Sequence, residues 1–160
     1  MDFCKEKPLG FWCGRVALAF KAQVDALTRE LGFTGADAIV VCILGAHGES
    51  SLAQLARIME HAHPSVLRHL DSLEASGYIE RCPHPSDRRV KLIRLTSKGE
   101  EILPVLREVM WRVQQRAVAG MSGEEVAQLC GLLQQVAENL GWEPDGLSSG
   151  LCAGKEPGRP

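Results

Sequence analysis

Residues 78–99 read YIERCPHPSDRRVKLIRLTSKG and contain the clearest structural signal in the chain. Two short runs of extended character, 78–82 and 90–96, flank the segment 83–89. The prolines and the Ser-Asp pair of that segment are typical of a turn. Polar and apolar residues alternate imperfectly in both runs, so the pairing is inferred mainly from the tight connection. We predict a two-stranded flap.

The flap also reverses the charge balance of the chain. The 160 residues include 18 Lys and Arg against 20 Asp and Glu, and the net charge of −2 by itself argues against a nucleic-acid partner. Between Arg81 and Lys98, however, six basic residues accompany one acid, so this segment carries +5 and the rest of the chain −7. Such a concentration of charge suits DNA phosphates, with a merely solvated hairpin as the alternative.

Four helices are predicted before the flap, because apolar residues recur at steps of three and four between capping residues and glycines. The first helix is predicted over 9–31. The second is capped by Thr34 with Asp37, runs to about Leu44 and ends at Gly45. The third starts after Ser50 or Ser51 and includes Met59, and the fourth runs from Pro64 to a stop at Gly77.

Two long helices are predicted after the flap, followed by a disordered tail over 143–160, where glycine and proline are frequent and bulky apolar residues are few. The first of these helices is capped by Thr96 or Ser97, with Glu100 suiting a capping box on Ser97; it is predicted to kink at Pro104 and to end near Ala119. The second starts with a capping box of Ser122 with Glu125 and ends at Gly141. The long terminal helices are too apolar for one small core, which implies a two-fold dimer.

The fourth helix has the features of a DNA reader. With Val66, Leu70 and Leu73 facing inward, its opposite face presents hydrogen-bonding groups that suit the major groove. Those groups belong to Ser65, Arg68, His69 and Ser72. The basic residues at and beside the flap tip, Arg88, Arg89 and Lys91, suit the minor groove and its phosphates. Asp87 is expected to orient a neighbouring guanidinium.

Four segments closely resemble the MarR (multiple antibiotic resistance regulator) family. They are the flap and its exit, 81–99; Ser51-Leu-Ala-Gln-Leu-Ala56; the helix and strand over 65–81; and Met121-Ser-Gly-Glu-Glu125. The similarity spans about residues 9–141. It implies a mainly α (α+β) fold in which a winged helix-turn-helix lobe, 34–96, is joined to a helical dimerisation region, 9–33 and 97–141. A flexible arm (1–8) and a disordered tail (142–160) complete this organisation.

The resemblance also implies a function. Members of the family are homodimers that bind palindromic operators, usually as repressors, and release double-stranded DNA on ligand binding or thiol oxidation. It places Ser65 and Arg68 on bases or phosphates and Ser51 on a phosphate at a helix N-terminus. Departures from the family pattern leave the operator sequence open. Glu60 replaces a usual glycine, Pro64 and Leu67 replace small hydroxyl residues, and Ser72 replaces an arginine.

A small-molecule effector or a redox signal would be sensed between the helices that the family uses for dimerisation and the DNA-binding lobe. The candidates are Trp12, Cys13, Phe20, Cys42 and Trp111. Aromatic residues and cysteines at helical spacing usually only pack in a core, and this is the alternative for each of them. Cys13 is the main redox candidate, because some relatives sense peroxides through a cysteine on the first helix.

Other classes of function lack a signal. The motifs GxxxxGK[ST], HExxH and GxSxG do not occur, and the cysteine and histidine spacings match no metal-ligand pattern, so we expect neither an enzyme nor a cofactor or metal. We expect a cytoplasmic protein with no membrane association, because no export signal or apolar run of about 20 residues is found. A winged-helix adaptor that binds a protein instead of DNA is the second hypothesis. An enzyme using Cys13 as nucleophile is the weakest.

Overall fold

The computed structural model describes residues 8–87 and 89–142. The predicted tail over 143–160, nearly all of the predicted arm and Arg88 lie outside this part. In chain order the elements are α1 (Leu9–Arg29), α2 (Gly35–His47), β1 (Ser50–Ser51), α3 (Leu52–Ile58), α4 (His63–Ala75), β2 (Ile79–Pro83), β3 (Lys91–Leu95), α5 (Ser97–Ala117) and α6 (Gly123–Asn139). None of these helices is long and apolar enough to cross a membrane.

The predicted flap is confirmed as an antiparallel hairpin. Strands β2 and β3 pair from Ile79 opposite Leu95 to Pro83 opposite Lys91. The sequence did not indicate the third strand, β1, which pairs with the other side of β3 and places Ser50 opposite Ile93. A strand of two residues is too short to show a period of two, and only its partner defines it.

Local capping signals placed most helix starts correctly. The predicted cap at Thr34 and the predicted Ser122–Glu125 capping box are both present. Thr34 forms a full capping box with Asp37, and Ser51 forms another with Gln54. Of the two candidates for the start of α5, Thr96 is the cap, since its hydroxyl accepts a hydrogen bond from the backbone N–H of Gly99. The capping box predicted on Ser97 was therefore wrong.

The predicted end of α2 was also wrong, because Gly45 lies within the helix. The helix continues to His47 and ends where Gly48 adopts a φ of 74°. A Cβ at Gly45 would collide with the side chain of Leu103 on α5. This glycine therefore permits close approach of two helices and does not break one.

The core lies within the lobe formed by α2–α4, the sheet and the first half of α5. Helix α2 runs through its centre, with Val40, Val41 and Ile43 fully buried. Residues from every surrounding element close over it, including Leu55, Val66, Leu70, Ile79, Ile93 and Leu106. A small sheet packed against a helix-turn-helix is the winged-helix architecture that the sequence predicted.

The two terminal helices contribute little to this core. Thr28 is the only buried residue of α1, and α6 has none. The apolar side chains that they leave exposed include Leu9, Phe11, Trp12, Val16 and Leu18 on α1 and Leu129, Leu132 and Leu133 on α6. Within one chain, much of the apolar surface of these helices therefore remains exposed.

Candidate nucleic-acid interface

Helices α3 and α4 are joined by a tight turn that fixes their relative orientation. The backbone N–H groups of Glu60 and His61 donate to the carbonyls of Arg57 and Ala56, at 3.1 and 3.0 Å. Glu60 adopts a φ of 52°, in the left-handed region that favours glycine. The departure from the family's usual glycine therefore stands at a position where the backbone requires the glycine-like conformation.

The face of α4 opposite the core is the candidate reading surface. Val66 and Leu70 are buried, whereas Arg68 and Ser72 are exposed and Ser65 is half-buried. Arg68 has no ion-pair partner among the described residues, so its guanidinium is available to a ligand. Three of the four residues predicted for this face thus point away from the core.

The fourth residue, His69, is only partly directed outward. Its Nδ1 lies 2.8 Å from Oδ1 of Asp37, a buried residue of α2. The histidine therefore connects the reading helix to the centre of the lobe. No pattern in the sequence indicated this contact, which joins residues 32 positions apart.

The opposite flank of α4 is connected to the wing, the β2–β3 hairpin with its turn. From β2, Arg81 donates through Nη2 to Asp71 at 2.7 Å and through Nη1 to Glu74 at 2.5 Å. One guanidinium bound to two carboxylates of the same helix fixes the geometry between helix and wing. Its single positive charge also offsets one of the two negative charges on a helix that would approach DNA.

Two further cations of the basic segment, the stretch from Arg81 to Lys98, connect elements within the lobe. Arg94 on β3 donates to Glu80 at 2.6 Å and to Glu49 at 3.3 Å, and these hydrogen bonds raise the pKa of its guanidinium. Lys98 donates to the carbonyl of Ser76 at 2.8 Å, and its ammonium lies 4.2 Å from the centre of the Tyr78 ring. The register that places Glu80 opposite Arg94 could have predicted the first pair.

The basic segment is therefore divided between two roles. Arg81, Arg94 and Lys98 are engaged within the lobe, whereas Arg89 and Lys91 are exposed and have no ion-pair partner in the described part of the chain. The charge of +5 overstates the charge that is free to meet a partner. The free cations are those at and beside the wing tip.

The wing turn is shaped by its side chains acting on the backbone. Oδ1 of Asp87 accepts a hydrogen bond from the backbone N–H of Arg89 at 3.0 Å. The Nδ1 atom of His84 accepts from the backbone N–H groups of Ser86 and Asp87, both at 3.3 Å. Asp87 thus orders the turn through the main chain of Arg89. Its expected contact with a neighbouring guanidinium stays a prediction, because Arg88 lies outside the described residues. The role of His84 was not predicted.

Ser51 occupies the N-terminus of α3, as predicted. Its hydroxyl oxygen accepts from the N–H of Gln54 at 3.3 Å, and its own N–H donates to the Gln54 side chain at 2.7 Å. The residue is half-buried. Its hydroxyl hydrogen is not used in this box, which leaves a donor at the positive end of the helix dipole.

The five sensing candidates differ in their exposure. Trp12 and Cys13 are exposed on α1, Phe20 is half-buried, and Trp111 is exposed on α5. Cys42 is a core residue of α2, and burial raises the pKa of its thiol to about 11. Core packing therefore accounts for Cys42 but not for the two tryptophans within one chain. No three His, Cys, Asp or Glu side chains of the described residues are grouped to hold a metal ion.

Comparisons with known proteins agree with this geometry. Residues 31–90, from just after α1 to the end of the wing turn, match the model of the MarR family. A cysteine-to-serine mutant of MarR from E. coli, complexed with operator DNA, is 26% identical with a TM-score of 0.75, over 85% of this chain and 98% of that chain. The transcriptional regulator PA3341 is also 26% identical, with a TM-score of 0.77 over 84% and 98%.

A Listeria monocytogenes protein assigned to the MarR family and complexed with 26mer DNA is similar in fold. Its TM-score is 0.78 at 21% identity, over 84% of this chain and 90% of that chain. Near-complete coverage of these structures means that the similarity includes the terminal helices as well as the winged lobe.

Proposed function

Because this chain belongs to the MarR family of transcription regulators, we propose that it acts as a homodimeric, cytoplasmic repressor that binds a palindromic DNA operator. The observation that carries the proposal is the division of the basic segment. Three of its cations are engaged within the lobe, whereas Arg89 and Lys91 remain available at and beside the wing tip. Helix α4 would enter the major groove while the wing contacts the flanking phosphates.

The exposed apolar faces of α1 and α6 support the dimer. Leu132 is 54% exposed and Trp12 is 54% exposed, and neither packs in the core of its own chain. A second copy would cover both helices and place two copies of α4 about 34–36 Å apart, one turn of DNA. The regions 9–33 and 97–141 are then the dimerisation region, and 34–96 is the DNA-binding lobe.

Release of DNA by a ligand or by thiol oxidation is part of the proposal. Trp12, Phe20 and Trp111 are partly or largely exposed and could line an effector site between the two copies. For a redox signal, the reactive species is the thiolate. The raised pKa of Cys42 disfavours that species, so the exposed Cys13 is the better candidate of the two. The regulator requires no cofactor and catalyses no reaction.

The test is a titration of a duplex that the wild-type protein has selected from a randomised library, repeated at several salt concentrations. The variant Arg88→Ala/Arg89→Ala removes two arginines from each of the two wings of the dimer. It should reduce the slope of log affinity against log salt by about four, because each lost phosphate contact lowers it by about one. The variant Arg112→Ala/Arg116→Ala removes the same charge from exposed positions on α5 and should leave the slope unchanged.

Two outcomes would contradict the proposal: duplex binding that does not depend on salt, or an equal slope for the wild type and the wing variant. Complete absence of duplex binding, together with capture of a protein that the wing variant fails to capture, would favour the adaptor hypothesis.

A further inference from the structure

A buried carboxylate of α2 holds the histidine of the reading helix. Asp37 accepts two hydrogen bonds at Oδ2, from the backbone N–H and the hydroxyl of Thr34, at 3.0 and 2.7 Å. Its other oxygen, Oδ1, lies 2.8 Å from Nδ1 of His69. Asp37 therefore performs two tasks: it completes the capping box of α2, and it binds the imidazole of α4.

The chemistry of this contact determines the proton on His69. The N-terminus of α2 favours negative charge on Asp37, and an ionised carboxylate can only accept hydrogen bonds. The ring nitrogen that faces it, Nδ1, must then carry a hydrogen. In the neutral ring the second nitrogen, Nε2, consequently has a free lone pair and is a hydrogen-bond acceptor.

The second nitrogen is directed towards the reading face. His69 lies between the buried stripe of α4 and the row formed by Ser65, four residues before it, and Ser72, three residues after it. Because Nδ1 points at Asp37, Nε2 points to the opposite side of the ring. Nε2 has no partner among the described residues, and the side chain is 24% exposed. In the described part, Nε2 of His47 is the only side-chain polar atom that is both buried and without a partner. Because Nε2 of His69 has no partner and is not in that class, it is accessible to solvent.

We propose that Asp37 is a positioning residue for base recognition: it fixes the tautomer of His69 and so makes Nε2 an acceptor in the major groove. An acceptor complements the exocyclic amino groups of cytosine N4 and adenine N6. Guanine presents only acceptors in that groove and would be disfavoured. The inference rests on the proposed function, and it assigns to His69 a preference for cytosine or adenine at one position of each half-site.

The substitution Asp37→Asn tests this assignment because it reverses the hydrogen-bonding pattern. The asparagine oxygen can still accept from Thr34, which leaves its NH₂ group facing His69. Nδ1 must then accept, Nε2 must carry the hydrogen, and the ring becomes a donor in the groove. We expect the preference at that position to move from cytosine or adenine towards guanine by about tenfold, the factor of a single well-placed hydrogen bond.

Thr34→Ala is the matched control. It removes the hydroxyl of the same capping box but retains the carboxylate that binds His69. If the effect of Asp37→Asn came only from a frayed α2, Thr34→Ala would change base preference in the same way. We expect it to leave the selected sequence unchanged. His69→Ala provides a second test that does not depend on the folding of an Asp37 variant, and it should remove the preference at that position.

The tautomer is measured directly by ¹⁵N NMR of the histidine rings of the full chain at about pH 8.5, with His69 assigned by its loss in His69→Ala. We expect a protonated Nδ1 in the wild type and a protonated Nε2 in Asp37→Asn. An unprotonated Nδ1 in the wild type would overturn the inference, and so would a selected sequence that neither Asp37→Asn nor His69→Ala alters. Failure of the proposed function itself is distinguishable, since the wild type would then enrich no sequence.

Discussion

The winged lobe and the terminal helices treat their apolar residues in opposite ways. In the lobe, α2, α3 and α4 bury apolar residues against elements of the same chain, and Val40, Leu55 and Val66 are fully buried. On α1 and α6, residues of the same chemical type, such as Leu18 and Leu132, are largely exposed. The lobe is thus a complete folding core, whereas the terminal helices require a second surface before their apolar faces contribute to stability.

Helix α5 belongs to both regions. Its first half contributes Leu106 to the core, and Arg107 donates to the carbonyl of Gly45 at 3.0 Å. Its second half buries Val113 but exposes Trp111, and Arg116 donates to Gln23 of α1 at 3.0 Å. A change in the packing of the terminal helices would therefore reach the lobe through α5.

The largest effect is expected from a cavity in the lobe. Leu70→Ala removes a buried side chain of α4 and should lower the free energy of unfolding by about 2–5 kcal/mol, since large-to-small core substitutions cost this much. Urea denaturation provides the measurement. The neighbouring Leu67, which is 41% exposed, is the control, and Leu67→Ala should cost less than about 1 kcal/mol. Equal losses would mean that the core is not where the structure places it.

A charge on α6 should have the next largest effect, and it should change the dimer dissociation constant. Leu132→Asp places a carboxylate on the exposed apolar face, and the dimer dissociation constant should rise by at least about 100-fold, because two-fold symmetry repeats the loss in both copies. Sedimentation equilibrium measures it. Ala127→Asp adds the same charge to the opposite side of the helix and should change the constant by less than about threefold. A dimer unaffected by Leu132→Asp would exclude Leu132 from the interface.

The smallest effect separates two arginines of the same basic segment. Arg81→Ala breaks the contacts with Asp71 and Glu74 and should lower the free energy of unfolding by about 1 kcal/mol, less at high salt. Arg89→Ala should leave it within about 0.5 kcal/mol, because the Arg89 side chain has no ion-pair partner among the described residues. Denaturation at two salt concentrations checks both, and a loss for Arg89→Ala as large as that for Arg81→Ala would contradict the division of roles.

The candidate site was predictable only in part. The face of α4 and the exposure of Arg68 and Ser72 follow from helical periodicity and the position of Val66, so the sequence indicated them. The roles of Arg81 and His69 did not follow. Each depends on a partner in another element, and a pattern read along one element carries no information about such a partner.

The sequence by itself determined the elements and their order, because helix caps, glycine stops and the proline-marked turn act over three or four residues. Thr34 with Asp37, Ser122 with Glu125 and the hairpin after Gly77 are of this kind. Only the tertiary structure decided that β1 exists, that Gly45 lies inside a helix, and which cations of the basic segment are neutralised. These outcomes depend on contacts between residues far apart in the chain, such as Asp37 with His69 and Glu49 with Arg94. Their energies exist only once the chain has folded and brought the partners within reach.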